Sequence, residues 1–190
     1  AWLEEWLQTE WTQYKVFVTP VTEQWAQFAI AGQRARDVLA KLAPDFDLSN
    51  EALPHMSFKT GKLGPYPVRV YRISFSGELS YEVATPANHG RGLWDEIMEA
   101  GAEFGIEPYG TEALHVLRAE KGYIVIGDET DGTTTPIDVG MDGMVSKKKA
   151  DFIGKRSLEQ SYLKGPNRKQ LVGLLTEDPN EVLPDGAYAV

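Results

Sequence analysis

Among the side chains equipped for chemistry, Glu82 is the best placed. It lies in Leu79-Ser80-Tyr81-Glu82-Val83, where polar and apolar residues alternate. A strand there puts Leu79, Tyr81 and Val83 on one face and Ser80 with Glu82 on the other. A carboxylate between apolar neighbours is costly to bury unless something pairs with it. Two states meet that condition. Glu82 can stand in water on an exposed sheet face, or it can accept two parallel N–H donors of a ligand, the strong charge-assisted geometry. Ser80 shares its face and is a secondary candidate for the same ligand. Tyr109 and Tyr123 can stack on a ring or fill a core. His115 and Arg118 read as packing and helix-end charge. The chain has no cysteine, which excludes a disulfide, a thiolate metal site and a cysteine nucleophile; neither a metal nor a covalent nucleophile is expected.

The elements that must position these residues follow from periodicity. Trp2, Leu3, Trp6 and Leu7 recur at helical spacing and read as core packing, already in place at residue 1, as expected of a chain cut from something longer. Val16-Phe17-Val18 reads as a short strand. Trp25 to Ile30 is a strand, with Trp25, Gln27 and Ala29 on one face and Ala26, Phe28 and Ile30 on the other. Ala35, Val38, Leu39 and Leu42 trace a helix stripe that Pro44 stops. A second strand runs up to a turn at Gly61, and a third covers Pro67 to Phe75, breaks at Gly77 and resumes from Ser80 to Ala84. The next helix carries Leu93, Trp94, Ile97 and Met98 and ends at Gly101. This order resembles a ferredoxin-like unit.

Thr111 is a candidate N-cap for a helix through Glu120 with Ala113, Leu114 and Leu117 inward, and Gly122 is its C-cap candidate. Tyr123 to Ile126 reads as a short strand, and Gly127 to Pro136 as a solvated turn with three threonines. Asp151 to Leu163 reads as a helix. Arg168 to Thr176 alternates again and reads as a strand.

A length of 190 residues is enough to bury a core. The net charge of −9 disfavours nucleic acid and anionic membrane as partners, which need basic surface. No run approaches the ~18 apolar residues of a membrane span. No signal peptide opens the chain, and the composition fits a cytoplasmic protein.

Several motifs carry a resemblance through their order: Ser76-Gly77-Glu78-Leu79-Ser80-Tyr81-Glu82-Val83, Trp94-Asp95, Pro108-Tyr109-Gly110, Leu117-Arg118-Ala119-Glu120-Lys121-Gly122-Tyr123, Asp131-Gly132-Thr133-Thr134-Thr135-Pro136 and Asp151-Phe152-Ile153-Gly154-Lys155. Together they resemble the folate-binding aminomethyltransferase family, whose archetype is the T-protein of the glycine cleavage system. Leu117 to Ile124, Asp131-Gly132-Thr133 and the opening Trp2 to Trp11 resemble most the branch formed by the C-terminal part of the heterotetrameric sarcosine oxidase alpha subunit.

The resemblance implies an α+β fold, a ferredoxin-like α/β sandwich of the aminomethyltransferase type over 1–145. A linker with a helix is then expected over 146–166, and the first strands of a truncated C-terminal β-barrel over 167–190. It implies tetrahydrofolate as cofactor, with flavin and NAD in other parts of the parent complex. The implied partners are the beta, gamma and delta subunits. The implied reaction is capture of the one-carbon unit of oxidised sarcosine as 5,10-methylene-tetrahydrofolate. It places Glu82 on the pterin edge, with Ser80 and Tyr109 as further cofactor contacts and no catalytic residue in this chain.

One folate-contacting arginine of the T-protein falls on Leu114 here. A second falls beyond Val190, and the family's essential aspartate falls upstream of Ala1, so the chain is expected to hold half a site. The alternatives are a glycine cleavage T-protein or dimethylglycine dehydrogenase-type aminomethyltransferase, and a non-catalytic subunit-docking module. The iron–sulfur repair branch of the family carries a cysteine signature that this chain lacks.

Overall fold

Four alternating stretches build one antiparallel sheet in the computed structural model, which describes residues 2–184. They are β1 (Trp25–Ala31), β2 (Phe58–Leu63), β3 (Tyr66–Tyr71) and β4 (Ser80–Pro86), in the spatial order β1-β4-β3-β2. β2, β3 and β4 form a meander, and β1 lies along the remaining edge of β4, with Ile30 opposite Tyr81 and Ala29 opposite Glu82. The α+β class is as expected. The stretch after Gly77 is a strand of its own, antiparallel to β3. Helix α3 (Gly90–Gly101) follows β4, where the sequence placed it.

One sheet face is covered by α2 (Ala35–Lys41) and α3. Ile30, Val68, Val70, Tyr81 and Val83 of the sheet meet Val38 and Leu39 of α2 and Leu93 and Ile97 of α3 in a single core. Each buried aliphatic side chain contributes roughly 1.5–3 kcal/mol. The period-2 pattern of β4 and the 3.6-residue pattern of α3 meet here: Tyr81 and Val83 face the stripe Leu93/Ile97. Gly90 opens α3 where a Cβ would come within 2.7 Å of Ala26 Cβ, so the helix start lies almost against β1.

Several sequence expectations differ from the structure. Gly61 lies inside β2, where a Cβ would collide with Asp45 and Phe46; the turn is instead at Gly64, whose φ is +54°. A glycine in a strand interior often marks such a close approach. Helix α1 (Trp2–Thr9) forms, but buries no residue. Trp2, Trp6 and Trp11 cluster among themselves, with ring centroids 5.8 to 6.4 Å apart. Val16 to Val18 forms no strand, and Phe17 is 95% exposed. In α4 (Thr111–Lys121) the buried side is marked by Arg118, with Leu114 and Leu117 half-buried and Ala113 exposed. Gly122 follows it at φ +81°, the left-handed end expected of a C-cap.

The chain divides into two compact units, one through Lys121 and one from Gly122 onward. The second contains no strand among its described residues, and its one α-helix is α5 (Lys155–Leu158), far shorter than the expected 151–163. Tyr123 to Ile126 forms no strand. Arg168 to Thr176, expected as the opening of a barrel, also forms no strand. Its backbone tie is Leu171 N–H to Asp138 O at 2.8 Å, and one bond is not a ladder.

What organises this unit is polar. Arg168 grips both carboxylate oxygens of the buried Asp138, with Nε–Oδ1 at 3.0 Å, and reaches Thr133 O at 2.8 Å. Asp138 also accepts from the Thr135 N–H at 2.7 Å. The Arg168 hydrogen bonds hold the Asp138 carboxyl far below the usual carboxylate range. The threonine loop is thus partly buried: Thr135 is 7% exposed, whereas Asp131 makes the expected surface turn, accepting from Thr133 and Thr134.

Candidate functional site

The sheet has a second face, which α2 and α3 do not cover, and Glu82 lies in the middle of it. Pairing register decides its neighbours. Ala29 is opposite on β1, Tyr71 opposite on β3, and Gln27 stands diagonally across, opposite Ala84. Cross-strand diagonal neighbours are within reach of long side chains, and Gln27 Nε2 donates to Glu82 Oε2. Ala29 carries no atom past Cβ, so the side of the carboxylate toward β1 is flanked by a methyl group and the Gln27 amide. Partial burial pushes the Glu82 carboxyl above the usual glutamate range. The rest of this face is aromatic and cationic: Phe58 stacks on Tyr71 at 5.6 Å between centroids, and the Arg69 guanidinium lies 4.1 Å over Trp25.

The other candidate residues separate. Tyr109 is 41% exposed; burial raises its phenol, with smaller contributions from the charges of Glu78 and Glu82. It therefore lies in the electrostatic reach of Glu82. Ser80 shares the Glu82 face, as expected, but is 4% exposed and opposite Ala31. Tyr81 points into the core with no bulge in β4; its buried hydroxyl accepts from Arg36 Nε at 2.9 Å. His115 is exposed on α4 and Arg118 is buried. Tyr123 belongs to the second unit.

Along the free edge of β1 runs a cleft of about 470 Å³. Its walls include Phe28, Trp94, Phe104, Tyr109 and Leu114, and Gln27 is at its border. A cavity of this size and largely apolar lining suits a flat ring system with few polar handles. Leu114, where the T-protein resemblance has an arginine, adds apolar surface there. Gln27 escaped sequence reasoning as a site residue. Its face was legible from alternation, but its diagonal relation to Glu82 depends on a register between strands 55 residues apart. Among the described residues no cluster of three or more His, Asp or Glu could hold a metal ion, and no helix is long and apolar enough to cross a membrane.

An antiparallel sheet with helices on one face and Glu82 on the other defines a small α+β domain. Residues 1–149 match the GCVT N-terminal domain model, and the chain belongs to that family. It is 52% identical over its whole length to the sarcosine oxidase subunit alpha of Corynebacterium sp. (strain U-96), covering 20% of that protein. It is 36% identical to the mitochondrial dimethylglycine dehydrogenase of Homo sapiens, with 97% of this chain and 21% of the relative aligned. It is 34% identical to the aminomethyltransferase of Halothermothrix orenii (strain H 168 / OCM 544 / DSM 9562), with 80% and 42% covered. The chain thus spans about a fifth of the oxidase and dehydrogenase relatives.

Proposed function

We propose that this chain is a tetrahydrofolate-binding part of a sarcosine oxidase-type alpha subunit, and that Glu82 holds the pterin. The observation that carries the reading is the state of Glu82. It is a partly desolvated carboxylate at the centre of the uncovered sheet face, and Gln27 is its hydrogen-bond partner among the described residues. A pterin edge offers an amide N–H beside an exocyclic amine, two parallel donors that a carboxylate accepts together. Family membership and the 52% identity to an oxidase alpha subunit support folate over other heterocycles with such an edge.

Bound tetrahydrofolate would supply the nucleophilic nitrogen that takes up the one-carbon unit as 5,10-methylene-tetrahydrofolate. The residues of this chain bind and orient. Glu82 fixes the ring edge, Tyr109 flanks it, and the walls of the β1 cleft exclude water. Excluding water favours capture of the oxidised amine over its hydrolysis, and holding the ring in one pose converts an encounter into a positioned reaction. Flavin and NAD, the beta, gamma and delta subunits and the sarcosine site belong to the rest of the parent assembly on this reading, as does a barrel in which residues 168–176 find strand partners.

Glu82→Ala in the parent assembly tests it. Hydrogen bonds to a charged group are worth about 1.5–3 kcal/mol each. Losing two weakens folate on the order of a hundredfold or more. Amine oxidation continues, and free formaldehyde replaces methylene-tetrahydrofolate as product. Folate affinity unchanged by the substitution removes the assignment.

A further inference from the structure

We infer that Gln27 is the positioning residue of the Glu82 carboxylate, leaving the remaining lone pairs of that carboxylate for a ligand edge with two N–H donors. The inference rests on the folate reading above and goes one residue further. The Glu82 side chain ends in a broad, roughly two-fold torsion that does not set its own oxygens. Ala29 opposite cannot set them, having no atom beyond Cβ, and Tyr71 across β3 is stacked on Phe58. Gln27 Nε2 supplies the missing constraint by donating to Oε2. Oε1 and the second lone pair of Oε2 remain for a ligand.

The residue type matters as much as the contact. A glutamine amide orients the carboxylate without neutralising it, so the full negative charge remains for the ligand's donors. An arginine at the same diagonal position would close bidentately on both oxygens and compete with the ligand. On this face the Arg69 guanidinium lies over Trp25. Gln27 also borders the β1 cleft, so the residue that orients the carboxylate stands at the border of the apolar space.

Two substitutions separate positioning from plain cross-strand support, with tetrahydrofolate binding and thermal melting measured for each in the parent protein. Gln27→Leu keeps the size and removes the donor. It weakens tetrahydrofolate about tenfold, the loss of roughly one good hydrogen bond. Gln27→Arg gives Glu82 a salt-bridge partner. It melts no lower than the parent, yet loses tetrahydrofolate as completely as Glu82→Ala. A merely structural role gives the opposite order, with arginine preserving binding. Parent-level affinity in either Gln27 variant, while Glu82→Ala abolishes binding, overturns the positioning role alone. Parent-level affinity in Glu82→Ala overturns the folate reading and this proposal together.

Discussion

At Glu82 the proposed folate role and stability pull in opposite directions. Partial burial raises its carboxyl above the usual glutamate range. The folded chain therefore holds that proton more tightly than the unfolded chain does. The ionised form costs stability above the raised value, and the cost is relieved as pH falls toward the ordinary glutamate range. Glu82→Gln removes the charge and keeps the shape. It should melt higher than the parent at neutral pH, by about 1 kcal/mol or less because the group is only partly desolvated. The gap should close on acidification. Thermal melts of both proteins across the acid range check this; a variant that melts lower at neutral pH would show that the carboxylate supports the fold. The proposed folate contact runs the other way, since the ligand's donors want the ionised acceptor.

At the scale of elements, α3 and β1 are held close by one missing methyl. Gly90 begins the helix with its Cβ position 2.7 Å from Ala26 Cβ, and Ala26 has no flexible end that could move aside. Gly90→Ala should destabilise the first unit by about 1–3 kcal/mol, the usual cost of overpacking. Denaturant unfolding measures it, and an unchanged midpoint would show that the helix start can slide. The consequence reaches the site, because β1 carries Gln27 and the same α3 lines the cleft through Trp94. Elements with a strong period were legible from sequence, including β1, β4, α2, α3 and α4. Short apolar runs such as Val16 to Val18 and Tyr123 to Ile126 were not. A strand needs a paired neighbour, which a short apolar run does not specify, and neither run forms a strand in the structure.

At the scale of the whole molecule, the chain covers a fifth of the oxidase subunit it resembles. On the proposed reading Glu82 binds the pterin and the transfer chemistry lies elsewhere in the parent assembly; Gln27 is the hydrogen-bond partner of Glu82 among the described residues. The 190-residue chain alone should therefore form no methylene-tetrahydrofolate from formaldehyde and tetrahydrofolate above the uncatalysed rate. Product formation by the chain alone would place the transfer chemistry within it.

Alternation alone assigned Glu82 and Tyr81 to opposite faces of one strand, and the order of motifs pointed to the family, because both are properties of neighbours along the chain. Register, burial of the threonine loop and the partner of Glu82 were decided only in three dimensions. Gln27 meets Glu82, and Arg168 meets Asp138, across 55 and 30 residues. A hydrogen bond between residues so far apart leaves no periodic trace in either segment; it exists only once β1 has paired with β4 and the second unit has closed on its own Arg168–Asp138 ion pair.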